Sequence, residues 1–176
     1  MSALDRNPVN QNPLHPNKFQ LNFSRAPNLQ FFCQSVNMPG VSLSEIPRTT
    51  PFVDIYVPGE KAIYDTLSVT FIIDEDMKTW FEVHDWIRAL TFPTQFSEYK
   101  ELKQLSPLAN PNFPQYSDAH LTFLNSSNLP TYRVKFVDCF PTSISGFIFS
   151  ASDSPESILT ADATFRFSYF EIDKLR

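Results

Sequence analysis

The segment Thr160–Asp173 constrains the fold more tightly than any other part of the chain. Ala161, Ala163, Phe165, Phe167 and Tyr169 alternate with Asp162, Thr164, Arg166 and Ser168. A period of two puts one set on each face of a strand, so one face meets a core and the other meets water or a partner. The same alternation runs through Lys18–Phe23 and through Leu67–Ile73, where Leu67, Val69, Phe71 and Ile73 share a face. Further strands are expected at Leu29–Asn37, Ala119–Asn125, Tyr132–Asp138 and Ser143–Phe149. Lys18–Phe23 and Leu29–Asn37, separated by the turn-forming residues 24–28, read as an antiparallel hairpin.

One segment departs from this period. Met77, Trp80, Val83, Ile87 and Leu90 recur at spacings of three and four, the apolar stripe of an amphipathic helix. Asp74-Glu75-Asp76 supplies an acidic N-cap and first turn that complement the helix dipole, and Pro93 ends the helix. Both tryptophans, Trp80 and Trp86, are expected in the core. The resulting fold class is mostly β: an antiparallel β-sandwich or barrel of seven or eight strands with one flanking α-helix at about 75–91.

At 176 residues the prior is one domain. Residues 1–17, rich in Asn, Gln and Pro, read as an extended N-terminal arm, and 18–176 as the β domain. Two excursions leave that domain. Residues 41–66 form an extended hairpin, entered through Met38-Pro39-Gly40, which reads as a turn with glycine supplying positive φ, and containing a second turn at Pro58-Gly59. Pro47 and Pro51 would protect its edge from indiscriminate pairing. Residues 94–118 form a long, proline-interrupted loop of the kind that serves function or assembly.

Composition removes most chemistry. The chain has 15 prolines but only 3 glycines, Gly40, Gly59 and Gly146, none adjacent to another, so no phosphate-cradling loop exists. Cys33 and Cys139 read as small buried hydrophobes, and with His15, His84 and His120 they make no zinc spacing. The acidic run 74–76 lacks the alternating ligands and glycine of a calcium loop. His84 and Asp85 are neighbours on the expected helix and point about 100° apart, which excludes a base–orienter pair. No serine sits in a G-x-S-x-G elbow. No catalytic residue, cofactor or metal is therefore expected, and the chain does not read as an enzyme.

A net charge of −5 and a pI of about 5.1 argue against a nucleic-acid-binding surface. No segment reaches the roughly 18 apolar residues of a membrane-spanning helix. What remains is low charge, 19%, and high aromatic content, 15%, which together favour surfaces that meet other proteins.

The order of several short motifs carries a resemblance. They are Asn17-Lys18-Phe19-Gln20-Leu21, Phe32–Gly40 (FCQSVNMPG), Ile46-Pro47, Phe52-Val53-Asp54, Val57-Pro58-Gly59-Glu60, Leu67–Glu75 (LSVTFIIDE) and Val83–Ile87 (VHDWI). Over about residues 17–90 the chain resembles the tail-tube family of contractile-tailed bacteriophages and the tube proteins of type VI secretion. The resemblance implies a β subunit that assembles into hexameric rings, stacked as a tube inside a sheath. It implies sheath and baseplate or tail-end proteins as partners, and a place in the virion tail after assembly in the host cytoplasm. Genomic DNA would pass through the lumen without specific binding, which suits an acidic subunit. The excursion at 41–66 would reach a neighbouring subunit or ring, making Pro39, Gly40, Ile46, Pro47, Phe52, Val53, Asp54, Pro58, Gly59 and Glu60 interface candidates. The longer N-terminal arm and the 94–118 loop leave a second role open, a tube-like baseplate protein that starts or ends the tube. A small ligand-binding barrel or hydrolase is the alternative of a different class.

Overall fold

The computed structural model describes residues 12–91, 115–152, 154 and 157–175. Most of the expected arm and of the 94–118 loop lie outside these residues. The described chain contains nine strands and two helices.

Two four-stranded antiparallel sheets share one strand. The first runs β1 (Phe19–Phe23), β6 (Ser117–Leu124), the leading part of β7 (Pro130–Ile144) and β9 (Tyr169–Lys174). The second runs from the trailing part of β7 through β8 (Thr160–Arg166) and β5 (Leu67–Ile72) to β2 (Cys33–Val36). β7 turns the corner at Asp138, whose φ is 56°. Opposite that corner the chain breaks between β8 and β9, where Ser168 N donates to the Val137 carbonyl at 3.0 Å and its hydroxyl to Asp138 Oδ2 at 3.3 Å. The expected single strand Thr160–Asp173 is therefore two strands that pair with different parts of β7, and the alternation slips by one at the break, so that Tyr169 is exposed while Phe170 packs on the core opposite Phe136. Tyr132–Asp138 and Ser143–Phe149 are not separate strands. β7 joins Tyr132 to Ile144 and ends there.

The alternating residues meet between the sheets. Leu21, Phe23, Leu121, Val134 and Phe136 from the first sheet face Leu67, Val69, Phe71, Ala163 and Phe165 from the second, all buried. The Phe23 and Phe165 rings lie 4.7 Å apart, centroid to centroid. This dry aromatic packing is where the burial free energy is concentrated.

The expected 18–37 hairpin does not form. Residues Pro27–Phe32 are a short helix, α1, and β2 pairs with β5 while β1 pairs with β6. Pro27 presets φ at the helix start, and α1 places Leu29 wholly inside the core. Tertiary burial of one leucine outweighs the β tendency of the Phe31-Phe32-Cys33 run.

α2 (Lys78–Thr91) begins later than the acidic run implied. Asp74 still caps it from outside: its Oδ1 accepts from Thr79 N at 2.9 Å and from the Thr79 hydroxyl at 2.5 Å. Met77, at φ 56°, makes the turn into the helix. The buried face is Thr79, Val83, Trp86 and Ala89, while Trp80, Ile87 and Leu90 are only half-buried. The expected stripe was rotated because α2 packs against α1 as well as β7, which widens and shifts its buried face. Trp86 enters the core, its Nε1 donating to the Gln115 carbonyl at 3.2 Å and the Arg25 guanidinium lying 5.2 Å from its ring centroid.

Candidate assembly interface

β3 (Val41–Thr49) and β4 (Asp54–Tyr64) pair with each other and with no other described strand, a two-stranded ribbon leaving the sandwich between β2 and β5. Cross-strand partners share a face. Ile46 stands opposite Val57, and at the next position Pro47 stands opposite Tyr56. Apolar side chains therefore occupy both faces, and among the described residues neither face has a sheet or helix beneath it. Val41, Leu43, Ile46, Ile55, Tyr56 and Ile63 are all more than half exposed. At the tip Phe52 is 98% exposed. The tip itself is ordered by Thr50, whose N donates to the Val53 carbonyl at 3.3 Å and whose hydroxyl accepts from Val53 N at 3.2 Å. Isolated two-stranded ribbons are marginal in water, and an exposed apolar patch of this extent marks a contact surface.

The expected interface candidates fall along this ribbon and its root. Ile46, Pro47, Phe52, Val53, Asp54, Pro58 and Glu60 are exposed, Gly59 is half-buried and Gly40 exposed at the root. Pro39 is buried and packs inside the subunit. Both turn assignments need correction. No glycine among the described residues has positive φ, the ribbon turns at 50–53, and Pro58-Gly59 lies within β4. Gly59 is required for close approach instead. The register shifts between Leu43 and Glu45, and a Cβ on Gly59 would stand 2.5 Å from the Ser44 carbonyl oxygen. Backbone meets backbone there, which only glycine permits.

The sandwich offers a second kind of contact. Among the described residues β1 pairs only with β6, β9 only with β7, β2 only with β5, and the trailing part of β7 only with β8. Each sheet thus ends in a strand with one open edge at either side, which soluble proteins normally cover. Sequence reasoning also missed Phe31, Ile148 and Phe149, all exposed. Lack of a polar partner at alternate positions in Phe31-Phe32 and Phe147-Ile148-Phe149 was the available signal.

His84 Nδ1 does reach Asp85 Oδ1, at 3.1 Å, because both exposed side chains lean together from adjacent positions, and the His84 ring stacks on Trp80 at 4.8 Å. Glu82, half-buried, accepts from Asn28 N and Nδ2 at 3.1 and 2.7 Å and ties α1 to α2. Burial pushes its carboxyl above the ordinary range despite these bonds. Burial likewise raises the Cys33 thiol to about 11 and the Cys139 thiol further, so neither is a ready nucleophile. No three His, Cys, Asp or Glu side chains converge on a possible metal site among the described residues.

The family model for phage tail tube protein matches residues 9–173. The chain belongs to this family. The family is structural rather than enzymatic. Across 144 residues, 80% of this chain and 76% of the relative, it is 26% identical to the tail tube terminator protein of Enterobacteria phage T4. Among solved structures, the tube-terminating cap of the anti-feeding prophage superposes with a TM-score of 0.64 at 14% identity, covering 99% of both chains. A chain in the six-fold symmetrised baseplate of the same prophage superposes with a TM-score of 0.64 at 12% identity, covering 94% of this chain and 99% of that one. The fold is therefore shared by a tube-terminating cap and a baseplate chain alike.

Proposed function

We propose that this tail-tube family protein forms a single ring that terminates the tail tube of a contractile-tailed phage. The reading of a repeated main-tube subunit yields to this one. The observation that carries the choice is sequence similarity: the T4 relative, matched over most of both chains, is a tube terminator, and the fold alone does not separate the two roles.

The geometry supports ring formation. Strands alternate in direction across each four-stranded sheet, so the two edge strands of a sheet run oppositely. Copies related head to tail by rotation would bring unlike edges together antiparallel, and closure of the ring would leave no edge free. A hexamer is the ring size that follows from the family. The β3–β4 ribbon then bridges to an adjacent copy or to the last ring of the tube, burying its two apolar faces, and sheath and tail-end proteins are the outer partners. The site of action is the virion tail, with assembly in the host cytoplasm.

Tubes assembled from the phage's main tube subunit provide the test. Added to such tubes, this protein, carrying a gold-labelled affinity tag, should decorate one end only and stop elongation there. Label distributed along the tube wall would overturn the terminating role.

A further inference from the structure

We propose that His120 is a proton-sensitive joint in the first sheet: neutral, the ring lets β1, β6 and β7 pack side by side, and protonated, it weakens the sheet they form. The proposal is independent of where along the tail the protein acts.

His120 stands in the middle of the sheet, opposite Asn22 on the edge strand β1 and opposite Lys135 on β7. Its strand neighbours Ala119 and Leu121 are buried in the core, so the imidazole lies on the outer face. The ring is still partly covered, and Nδ1 is wholly buried with no hydrogen-bond partner among the described residues. Buried polar atoms are rarely left in that state, because the unmade bond costs free energy.

The charges around the ring are unevenly placed. On β7, one strand away, Lys135 is directly opposite and Arg133 is the next residue on the same face. Asp118 shares the face on β6, but it is held by Lys135 at 3.1 Å. Glu171, Asp173 and Tyr169 stand on β9, on the far side of β7. Adjacent strands lie about 4.8 Å apart, so the β9 carboxylates start roughly twice as far from β6 as the two cations do. β1 presents Gln20 and Asn22 to this face and carries no charge.

Protonation would add a third cation beside Arg133 and Lys135. It would also put an N–H on both ring nitrogens, and the buried Nδ1 would become a donor with no acceptor. The neutral ring avoids both costs by keeping its one proton on Nε2. Burial first, and then Arg133 and Lys135, hold the imidazole below its ordinary value against the opposing pull of Asp118 and Asp173. With the folded value depressed, the unfolded chain takes up the proton first once pH falls below about 6.5. The stabilisation is therefore present above that pH and is lost as pH falls toward the folded value. The strand most exposed to this loss is β1, which has five residues and pairs only with β6 among the described residues.

Urea unfolding of the full chain from about pH 8 to about pH 5, with His120→Gln alongside, tests the proposal. The parent's unfolding constant should rise below about pH 6.5 by up to about tenfold per pH unit, the limit for one proton, and His120→Gln should lack that part of the rise. Imidazole titration by NMR supplies a local readout. The signals of His15 and His84 are identified by their loss in His15→Gln and His84→Gln, and the third should titrate below about 6.5. Lys135→Met removes the opposite cation and frees Asp118, so it should move that titration up toward the ordinary value. The same pH dependence in the parent and in His120→Gln would overturn the proposal, as would a His120 titration at or above the ordinary value. Should His120→Gln fail to fold, the titrations of the parent and of Lys135→Met decide.

Discussion

The sandwich and the β3–β4 ribbon are built from the same residue types and stand in opposite relation to water. In the sandwich, Phe23, Phe71, Phe136 and Phe165 are wholly buried. In the ribbon, Ile46, Ile55, Tyr56 and Phe52 are mostly exposed. Antiparallel pairing is continuous in both apart from local register shifts. The difference lies in what lies over the faces: the sandwich has a second sheet and α2, whereas among the described residues the ribbon beyond its root at Tyr64 has no strand or helix packed on it. Hydrophobic residues satisfied within the subunit report on folding, while those left unsatisfied report on assembly. Substitutions in the two regions should therefore separate stability from association.

The largest effect is expected in the sandwich. Phe165→Ala removes a ring that touches Phe23 and lies 6.2 Å from Trp86, and should lower unfolding free energy by about 3–5 kcal/mol in urea titrations. Phe52→Ala, an equal change in side-chain size, should move it by less than about 0.5 kcal/mol and instead weaken ring or tube association. Equal costs at the two positions would erase the distinction between core and ribbon.

An intermediate effect is expected where α2 joins the sandwich. Asp74→Ala deletes the cap bonds to Thr79 and should cost about 0.5–2 kcal/mol at neutral pH. Burial alone would raise the Asp74 carboxyl, but the Thr79 and Lys78 hydrogen bonds outweigh it and hold it below the ordinary value. A depressed folded pKa contributes stability above the unfolded value, and that contribution is lost as pH falls through the folded one. The gap between parent and Asp74→Ala should therefore shrink below about pH 4, measured as urea midpoints across pH.

The smallest changes in folding stability are expected in the ribbon. Gly59→Ala forces a Cβ against the Ser44 carbonyl and distorts the ribbon, so assembly should fall while the sandwich unfolds near its parental midpoint. Deleting 44–62 sharpens the contrast: circular dichroism should retain the sandwich signal while rings no longer associate with tubes. A deletion that unfolds would assign the ribbon to the core.

Legibility in the sequence followed the range of the interactions. Alternation at Leu67–Ile72 and Thr160–Arg166 is local, and both segments are strands with the expected face inward, whereas beyond the break at Phe167-Ser168 the period slips by one and Phe170 rather than Tyr169 packs on the core. The corner at Asp138 was hidden because it depends on Ser168, 30 residues away. α1 was misread because burial of Leu29 is a tertiary event that strand propensity does not register. The ribbon's existence was readable from its proline-edged β-rich run, whereas the role of Gly59 was not, because close approach to Ser44 needs the paired strand in place. Which residues share an outer face of a sheet became readable only once the partners of β5, β7 and β8 were known.

The most direct test of the terminating role is the number of copies in each virion, counted by quantitative mass spectrometry against the main tube subunit. A single terminating ring predicts one ring's complement per particle, about six if the family's ring size holds, independent of tail length. A count many times larger, scaling with the length of the tail, would contradict it and restore the repeated tube subunit.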